Sequence, residues 1–171
     1  LLGSEGQGWQ LAIATLMYER GAAEGSAGGS TAMGEPVKKL VTLAAEARRG
    51  GRPAIEDAWV RDRIAQFAIE EAALFACARR YKIPGLVEDR PTAIPFMGKL
   101  VGSEFMQRLT GFANEIQGPS AQYWYGADRA LDNGFWQRAY MNTFGFTIGG
   151  GTSEIQRNII GERILGLAKS K

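Results

Sequence analysis

The sequence contains no histidine and only one cysteine, and these two absences exclude much of the chemistry that small enzymes use. Without histidine there can be no Ser-His or Cys-His nucleophilic pair, and the commonest metal ligand is missing. We therefore expect no metal site, and any acid or base must be a carboxylate. Cys77 cannot form an internal disulfide, and its apolar neighbours indicate a small core residue. The lone thiol favours a reducing, intracellular setting, and we expect a cytoplasmic protein.

An excess of one charge and long apolar runs are also lacking. The chain has 20 Lys and Arg against 18 Asp and Glu, so its composition offers no electrostatic reason to expect nucleic-acid binding. No apolar run approaches the roughly 20 residues of a membrane span, and the first residues do not form a signal peptide. The 171 residues are 45% hydrophobic, which suits one globular core. Because the chain lacks an initiator Met, we expect it to be a piece of a longer protein.

The sequence does contain repeated apolar spacing of three and four residues, which is typical of helices. This spacing predicts a brief helix after Gly8-Trp9-Gln10, a helix that starts at Glu35-Pro36, a helix from near Asp57, a helix over residues 97–116 and a final helix that carries Ile155 to Ile164. Residues 135–146 are apolar without clear periodicity, and we expect a helix there as well. Alternation with period two is never sustained, so strands should be few or absent, and we expect no sheet. The fold class predicted from the sequence is all-α, with the apolar faces of residues 60–78 and 97–116 turned towards each other.

Two short motifs are candidates for chemistry. Three glycines precede Thr152 and Ser153, either of which can cap the last helix, and an exposed helix N-terminus offers N–H groups to an anion or a cofactor. The plainer interpretation of this motif is a glycine turn with a capping hydroxyl. Glu19 is followed by Arg20. Such pairs are usually solvated, whereas a buried glutamate beside an apolar run would be a candidate base with a raised pKa.

Three segments of the sequence resemble parts of one known protein family. The tail GGTSEIQRNIIGERILGL (residues 150–167) is similar to the C-terminal signature of acyl-CoA dehydrogenases, and GWQLAIATLMYERG (8–21) resembles the start of that family's C-terminal helical domain. VRDRIAQFAIEEAAL (60–74) is similar to a helix of the domain in one subgroup. The resemblance implies an antiparallel up-and-down helical bundle that spans residues 1–171 as a single domain. It also implies that an N-terminal helical domain and a middle β domain precede it in a longer chain.

The resemblance further implies a catalytic base. Many family members carry it immediately before the Gly-Thr-Ser of the tail, where this chain has Gly150. Enzymes of the isovaleryl and long-chain types instead place a glutamate before an arginine on the opening helix, and that position is Glu19 here. Glycine at 150 with glutamate at 19 fits this relocated base. Tyr18 and Arg20 would then lie near the substrate.

The family's cofactor is FAD, which lies between the middle and C-terminal domains and touches a neighbouring subunit. By resemblance, Gly151, Thr152, Ser153 and Glu154 would contact it. The family also implies an acyl-CoA substrate, fatty-acid metabolism, an electron-transfer flavoprotein as electron acceptor, and a homodimer, homotetramer or hetero-oligomer. This piece alone should hold FAD weakly or not at all.

Departures from the family pattern leave alternatives open. Many family members carry an Arg-x-x-Phe-Gly segment with a downstream Gln that reaches the FAD of a neighbouring subunit. Residues 47–60 of this chain lack the Phe-Gly and that Gln, and any of Arg48, Arg49 and Arg52 could replace the contact. A non-catalytic subunit of a hetero-oligomer is one alternative, because Gly150 cannot act as a base. A purely structural bundle and an acyl-CoA oxidase are the others.

Overall fold

The computed structural model describes residues 3–22, 35–80, 83 and 93–169. Helices make up most of this part of the chain. They are α1 (Gly8–Ala22), α2 (Pro36–Glu46), α3 (Ala58–Arg80), α4 (Ala93–Gln117), α5 (Phe135–Ile148) and α6 (Ser153–Ile159). Short 3₁₀ turns occupy Ala54–Glu56, Gly118–Gln122 and Leu131–Gly134, and a π-helical turn, Ile160–Ile164, continues α6. The all-α fold class is confirmed.

Helix α4 runs antiparallel to both α3 and α5. The Trp59 ring, near the start of α3, lies 5.3 Å from the Phe112 ring on α4. Further along α3, the Phe67 ring lies 5.9 Å from that of Phe105, which comes earlier on α4, so the two helices run in opposite directions. Helix α5 returns along α4, with Tyr140 against Gly111. This up-and-down arrangement is the one that the resemblance implied.

The core lies where α2, α3, α4 and α5 meet. Its largest fully buried apolar side chains are Trp136, Phe67, Phe105, Leu40, Leu43, Met106, Leu109, Ile116 and Val60. Burial of such side chains contributes roughly 1.5–3 kcal/mol each. The predicted facing of the stripes on α3 and α4 is confirmed at the centre of the bundle. It is wrong near one end, where Phe75, Met97 and Val101 remain about 40% exposed (39%, 41% and 43%).

A two-stranded hairpin interrupts the helices, so the expectation that the chain contains no sheet is wrong at this one place. Strands β1 (Arg48–Arg49) and β2 (Arg52–Pro53) pair antiparallel, with Arg49 opposite Arg52. The connecting Gly50 and Gly51 have φ of 56° and 81°, a left-handed conformation that glycine adopts without a Cβ penalty. These two glycines therefore form the turn of the hairpin.

The start of α2 is stabilised by a side chain from another helix. Its N-cap residue, Glu35, makes no capping hydrogen bond of its own. Instead, the backbone N–H of Val37 donates to Oε1 of Glu71 on α3 at 3.3 Å. Burial raises the pKa of Glu71, the Val37 hydrogen bond opposes that rise, and the charge of Glu35 adds to it. Glu71 thus fastens α2 to α3 at the cost of a partly buried carboxylate.

Candidate cofactor-binding site

The glycine segment predicted from the sequence forms a tight turn between α5 and α6. Gly150 and Gly151 have φ of 68° and 104°, and the N–H of Gly151 donates to the carbonyl of Ile148 at 3.2 Å. An L-residue in the left-handed region costs roughly 1–2 kcal/mol, which explains glycine at both positions. Without side chains, the backbone of the turn can come close to another molecule.

Thr152 is the residue that caps α6. Its Oγ1 accepts a hydrogen bond from the backbone N–H of Ile155 at 3.3 Å, and its backbone takes the extended conformation usual for an N-cap. The sequence left Thr152 and Ser153 as alternatives, and the structure selects Thr152. The hydroxyl of Ser153 makes no hydrogen bond within the described part of the chain, although the residue is only 8% exposed.

Glu154 follows in the first turn of α6 and is exposed. Its pKa lies below the usual value for glutamate, first because the carboxylate accepts from its own backbone N–H and then because it accepts from the hydroxyl of Thr152. The positive charges of Arg157 and Lys99 lower the pKa further. Glu154 therefore stays ionised at neutral pH, where it can accept hydrogen bonds and cannot donate one from its side chain.

Two side chains hold the carbonyl groups of the turn. Nζ of Lys99, from α4, donates to the carbonyl of Gly151 at 2.5 Å and to that of Thr147 at 3.4 Å. Nε2 of Gln156, from α6, donates to the carbonyl of Gly150 at 2.8 Å. Neither residue was identified from the sequence. Each contact joins positions that only the folded chain brings together, and no local pattern indicates them.

The residues of the turn fit the polar edge of a cofactor such as FAD. Ser153 offers an uncommitted hydroxyl, and Oε1 of Gln156 is buried without a hydrogen-bond partner among the described residues. Gly150 and Gly151, which have no side chains, lie directly before these groups in the chain. A ligand that both donates and accepts hydrogen bonds could satisfy this set.

The three catalytic and substrate-binding residues predicted from the sequence lie on α1. The backbone of Tyr18, Glu19 and Arg20 is helical, in the last two turns of Gly8–Ala22, and α1 packs against α4, the helix that carries Lys99. Their side chains lie outside the described part of the structure. The roles of these three residues therefore stay predictions.

The hairpin arginines differ in their surroundings. Nε of Arg49 pairs with Oδ2 of Asp57 at 3.1 Å, and the Arg49 guanidinium lies 5.0 Å from the ring centre of Trp59. The side chains of Arg48 and Arg52 are exposed and make no hydrogen bond or ion pair in the described ranges. Of the three candidates, Arg49 is thus already engaged within the chain.

The described residues include neither a metal-binding cluster nor a membrane-spanning helix. No group of three or more Cys, Asp or Glu side chains there is placed to hold a metal ion. Nor does that part of the chain include a helix with the length and hydrophobicity needed to cross a membrane.

Comparison with known proteins identifies the family. Residues 6–165 match the acyl-CoA dehydrogenase C-terminal domain. The chain is 33% identical over 99% of its length to acyl-CoA dehydrogenase IpdE1 of Mycolicibacterium smegmatis and 31% identical over 99% of its length to IpdE1 of Mycobacterium tuberculosis. It covers 39% and 40% of those two relatives.

A solved structure titled "Tcur3481-Tcur3483 steroid ACAD" has the same fold. Its TM-score is 0.77 at 21% identity, with 98% of this chain and 42% of that chain aligned. The chain belongs to the acyl-CoA dehydrogenase family and corresponds to its C-terminal domain. The resemblance seen in the sequence is therefore confirmed, and the chain spans about two fifths of the length of the curated relatives it matches.

Proposed function

We propose that this chain is the C-terminal part of an FAD-dependent acyl-CoA dehydrogenase that uses Glu19 as its base. The observation that carries the proposal is the turn that precedes α6. The family's frequent base position is here Gly150, which has no side chain and a φ of 68°. The proton must then be removed by another carboxylate, and Glu19 stands before Arg20 at the family's alternative position.

In the proposed reaction, Glu19 takes the proton from the carbon α to the thioester carbonyl. Bound FAD supplies the acceptor for the hydride that leaves the β carbon. Exclusion of water around a carboxylate disfavours its charged form and raises its pKa towards the range useful for proton abstraction. Arg20 would oppose part of that rise, so we assign it, with Tyr18, to positioning the substrate.

The turn and the start of α6 would hold the cofactor. Gly151 allows close approach of the backbone, while Ser153 provides a hydroxyl that makes no other hydrogen bond in the described chain. Thr152 fixes the first turn of α6, and Glu154 supplies an ionised acceptor. These features support the assignment of residues 151–154 to FAD binding.

The basic hairpin is the proposed contact to the FAD of a neighbouring subunit. Because Arg49 is engaged with Asp57 and Trp59, we assign a phosphate contact to Arg48 or Arg52, which are exposed. Arginine is well suited to phosphate, since its planar guanidinium donates two parallel hydrogen bonds. Such a contact requires an oligomer, which we propose to be a homodimer, a homotetramer or a hetero-oligomer.

The proposed electron acceptor is an electron-transfer flavoprotein, and the proposed setting is fatty-acid or related lipid metabolism in the cytoplasm. A second candidate function is a non-catalytic subunit that supplies part of a flavin site in a hetero-oligomer. The side-chain-free Gly150 is the observation that favours it. Glu19 distinguishes the two candidates, because a non-catalytic subunit has no need of a base.

The test is anaerobic reduction of the full-length flavoprotein by a panel of acyl-CoA thioesters, followed by flavin absorbance. The panel should include straight-chain, branched and steroid side-chain thioesters, since one structural relative is titled a steroid enzyme. Bleaching by at least one thioester is expected. A protein that retains FAD but is reduced by none would be the non-catalytic subunit, and a protein without FAD would refute both candidates.

A further inference from the structure

We propose that Lys99 is a positioning residue that fixes the turn at residues 149–152 and so sets the cofactor-binding geometry of α6. This inference rests on the proposed function, because it assigns the turn to FAD. The observation behind it is the bridge that the Lys99 ammonium group makes to the carbonyls of Gly151 and Thr147.

The contact joins the end of α5 to the turn that follows it. Thr147 lies in the last turn of α5, where helix carbonyls lack intrahelical partners and carry partial negative charge. Gly151 lies three residues after the end of that helix. A single cation that donates to both carbonyls stabilises the end of α5 and simultaneously fixes the direction in which the chain leaves it.

The glycines make this contact more important. Gly149, Gly150 and Gly151 can adopt many backbone conformations, so the turn has a high entropic cost of ordering. Gln156 fixes the carbonyl of Gly150, but it belongs to α6, the helix that the turn has to orient. Lys99 belongs to α4, a long helix of the bundle core, and it therefore provides the fixed reference.

A second effect of Lys99 is electrostatic. Its positive charge lies close enough to Glu154 to favour the ionised carboxylate at the start of α6. The main contribution of Lys99 to residues 151–154 is thus the position of the turn, and its charge adds to the field that favours an ionised Glu154. By contrast, the ion pair between Arg157 and Glu104, at 2.6 Å, also connects α6 to α4 but lies on the exposed side, where such pairs contribute little.

The experiment compares Lys99→Met with the parent and with Lys38→Met in the full-length protein. Methionine keeps most of the length of lysine and removes the ammonium donor. Lys38 is an exposed lysine of α2 that pairs with Glu35, so its variant controls for loss of one positive charge. Amide hydrogen exchange of the peptide covering residues 148–157 is measured together with the dissociation constant for FAD.

In Lys99→Met, exchange in this peptide should accelerate about ten- to a hundredfold, the range expected for loss of a charge-assisted hydrogen bond. The FAD dissociation constant should rise by a similar factor, while Lys38→Met should match the parent in both measurements. Exchange of the α2 amides should be unchanged, which separates local loosening from general loss of stability.

A rescue variant tests the ammonium group itself. Lys99→Cys, alkylated with 2-bromoethylamine in a Cys77→Ala background, restores an ammonium at nearly the same reach and should recover both the slow exchange and the FAD affinity. The Cys77→Ala protein treated in the same way is its control. If Lys99→Met fails to fold, the comparison of Lys99→Cys before and after alkylation tests the role of the ammonium group in its place.

Unchanged exchange in Lys99→Met would overturn the proposal. Faster exchange with unchanged FAD affinity would also overturn it, because the turn would then be fixed by Lys99 without positioning the cofactor. If the parent itself does not bind FAD, the proposed function fails, and the exchange comparison still shows whether Lys99 holds the turn.

Discussion

Gly134, at the start of α5, is expected to tolerate no side chain. It ends a turn in which Asp132, Asn133 and Gly134 all have positive φ, of 47°, 49° and 70°. A Cβ on Gly134 would lie 2.6 Å from the backbone nitrogen of Tyr125 and 3.0 Å from the carbonyl carbon of Trp124. These neighbours are backbone atoms, so they cannot rotate away as a side chain could.

The magnitude for Gly134→Ala has two parts. The left-handed conformation costs an L-residue roughly 1–2 kcal/mol. Relief of the contact with the backbone at Trp124 and Tyr125 adds roughly 1–3 kcal/mol, the cost of inserting atoms into a well-packed site. We therefore expect a loss of about 3 kcal/mol, which is large for a change of one methyl group.

Gly118 provides the matched control. It also has a positive φ, of 56°, but a Cβ there would meet nothing within 4 Å. Gly118→Ala should therefore show only the conformational cost, roughly 1–2 kcal/mol. The assay is urea unfolding of the full-length variants followed by tryptophan fluorescence. Equal midpoints for the two variants would refute the close approach of the 124–125 backbone to Gly134.

Three further changes test other parts of the molecule. Gly145→Ala, within α5 and clear of neighbours, should stabilise the protein by roughly 0.5–1 kcal/mol in the same assay. Thr152→Ala removes the acceptor for the Ile155 N–H and should cost about 1 kcal/mol, with Thr152→Ser as the control that restores the midpoint. Glu71→Gln keeps the acceptor for Val37 and removes a carboxylate whose raised pKa favours the folded state only when protonated. That favourable contribution to stability is complete below the unfolded pKa near 4.5 and is lost as pH rises through the folded pKa of Glu71. The variant should therefore be more stable than the parent at neutral pH and lose this advantage under acid. Unfolding midpoints measured against pH test this expectation.

The helices could be predicted from sequence because their apolar periodicity directly reflects burial. Phe105, Leu109, Phe112 and Ile116 recur at helical spacing, and all four are buried. Thr152 was identified as a possible cap because capping depends on residues three positions apart. Local patterns thus predicted local structure correctly.

Contacts between distant residues could not be predicted in this way. Nothing in the sequence indicated that Glu71 accepts from Val37, which lies 34 residues earlier. The link from Lys99 to Gly151 spans 52 residues. Met97 and Val101 fit the apolar stripe of α4 and remain substantially exposed, since periodicity alone does not say how far a neighbouring helix extends.

The assignment of Glu19 is tested most directly by single-turnover flavin reduction in Glu19→Gln. Glutamine keeps the size of the side chain and removes the base, so substrate should still bind. Reduction by the preferred acyl-CoA should slow at least by the roughly 10²–10⁴-fold typical of a lost general base. Glu5→Gln, a matched change at an exposed glutamate, should reduce at the parent's rate. A Glu19→Gln protein that is reduced as fast as the parent would contradict the assignment of Glu19 as the base.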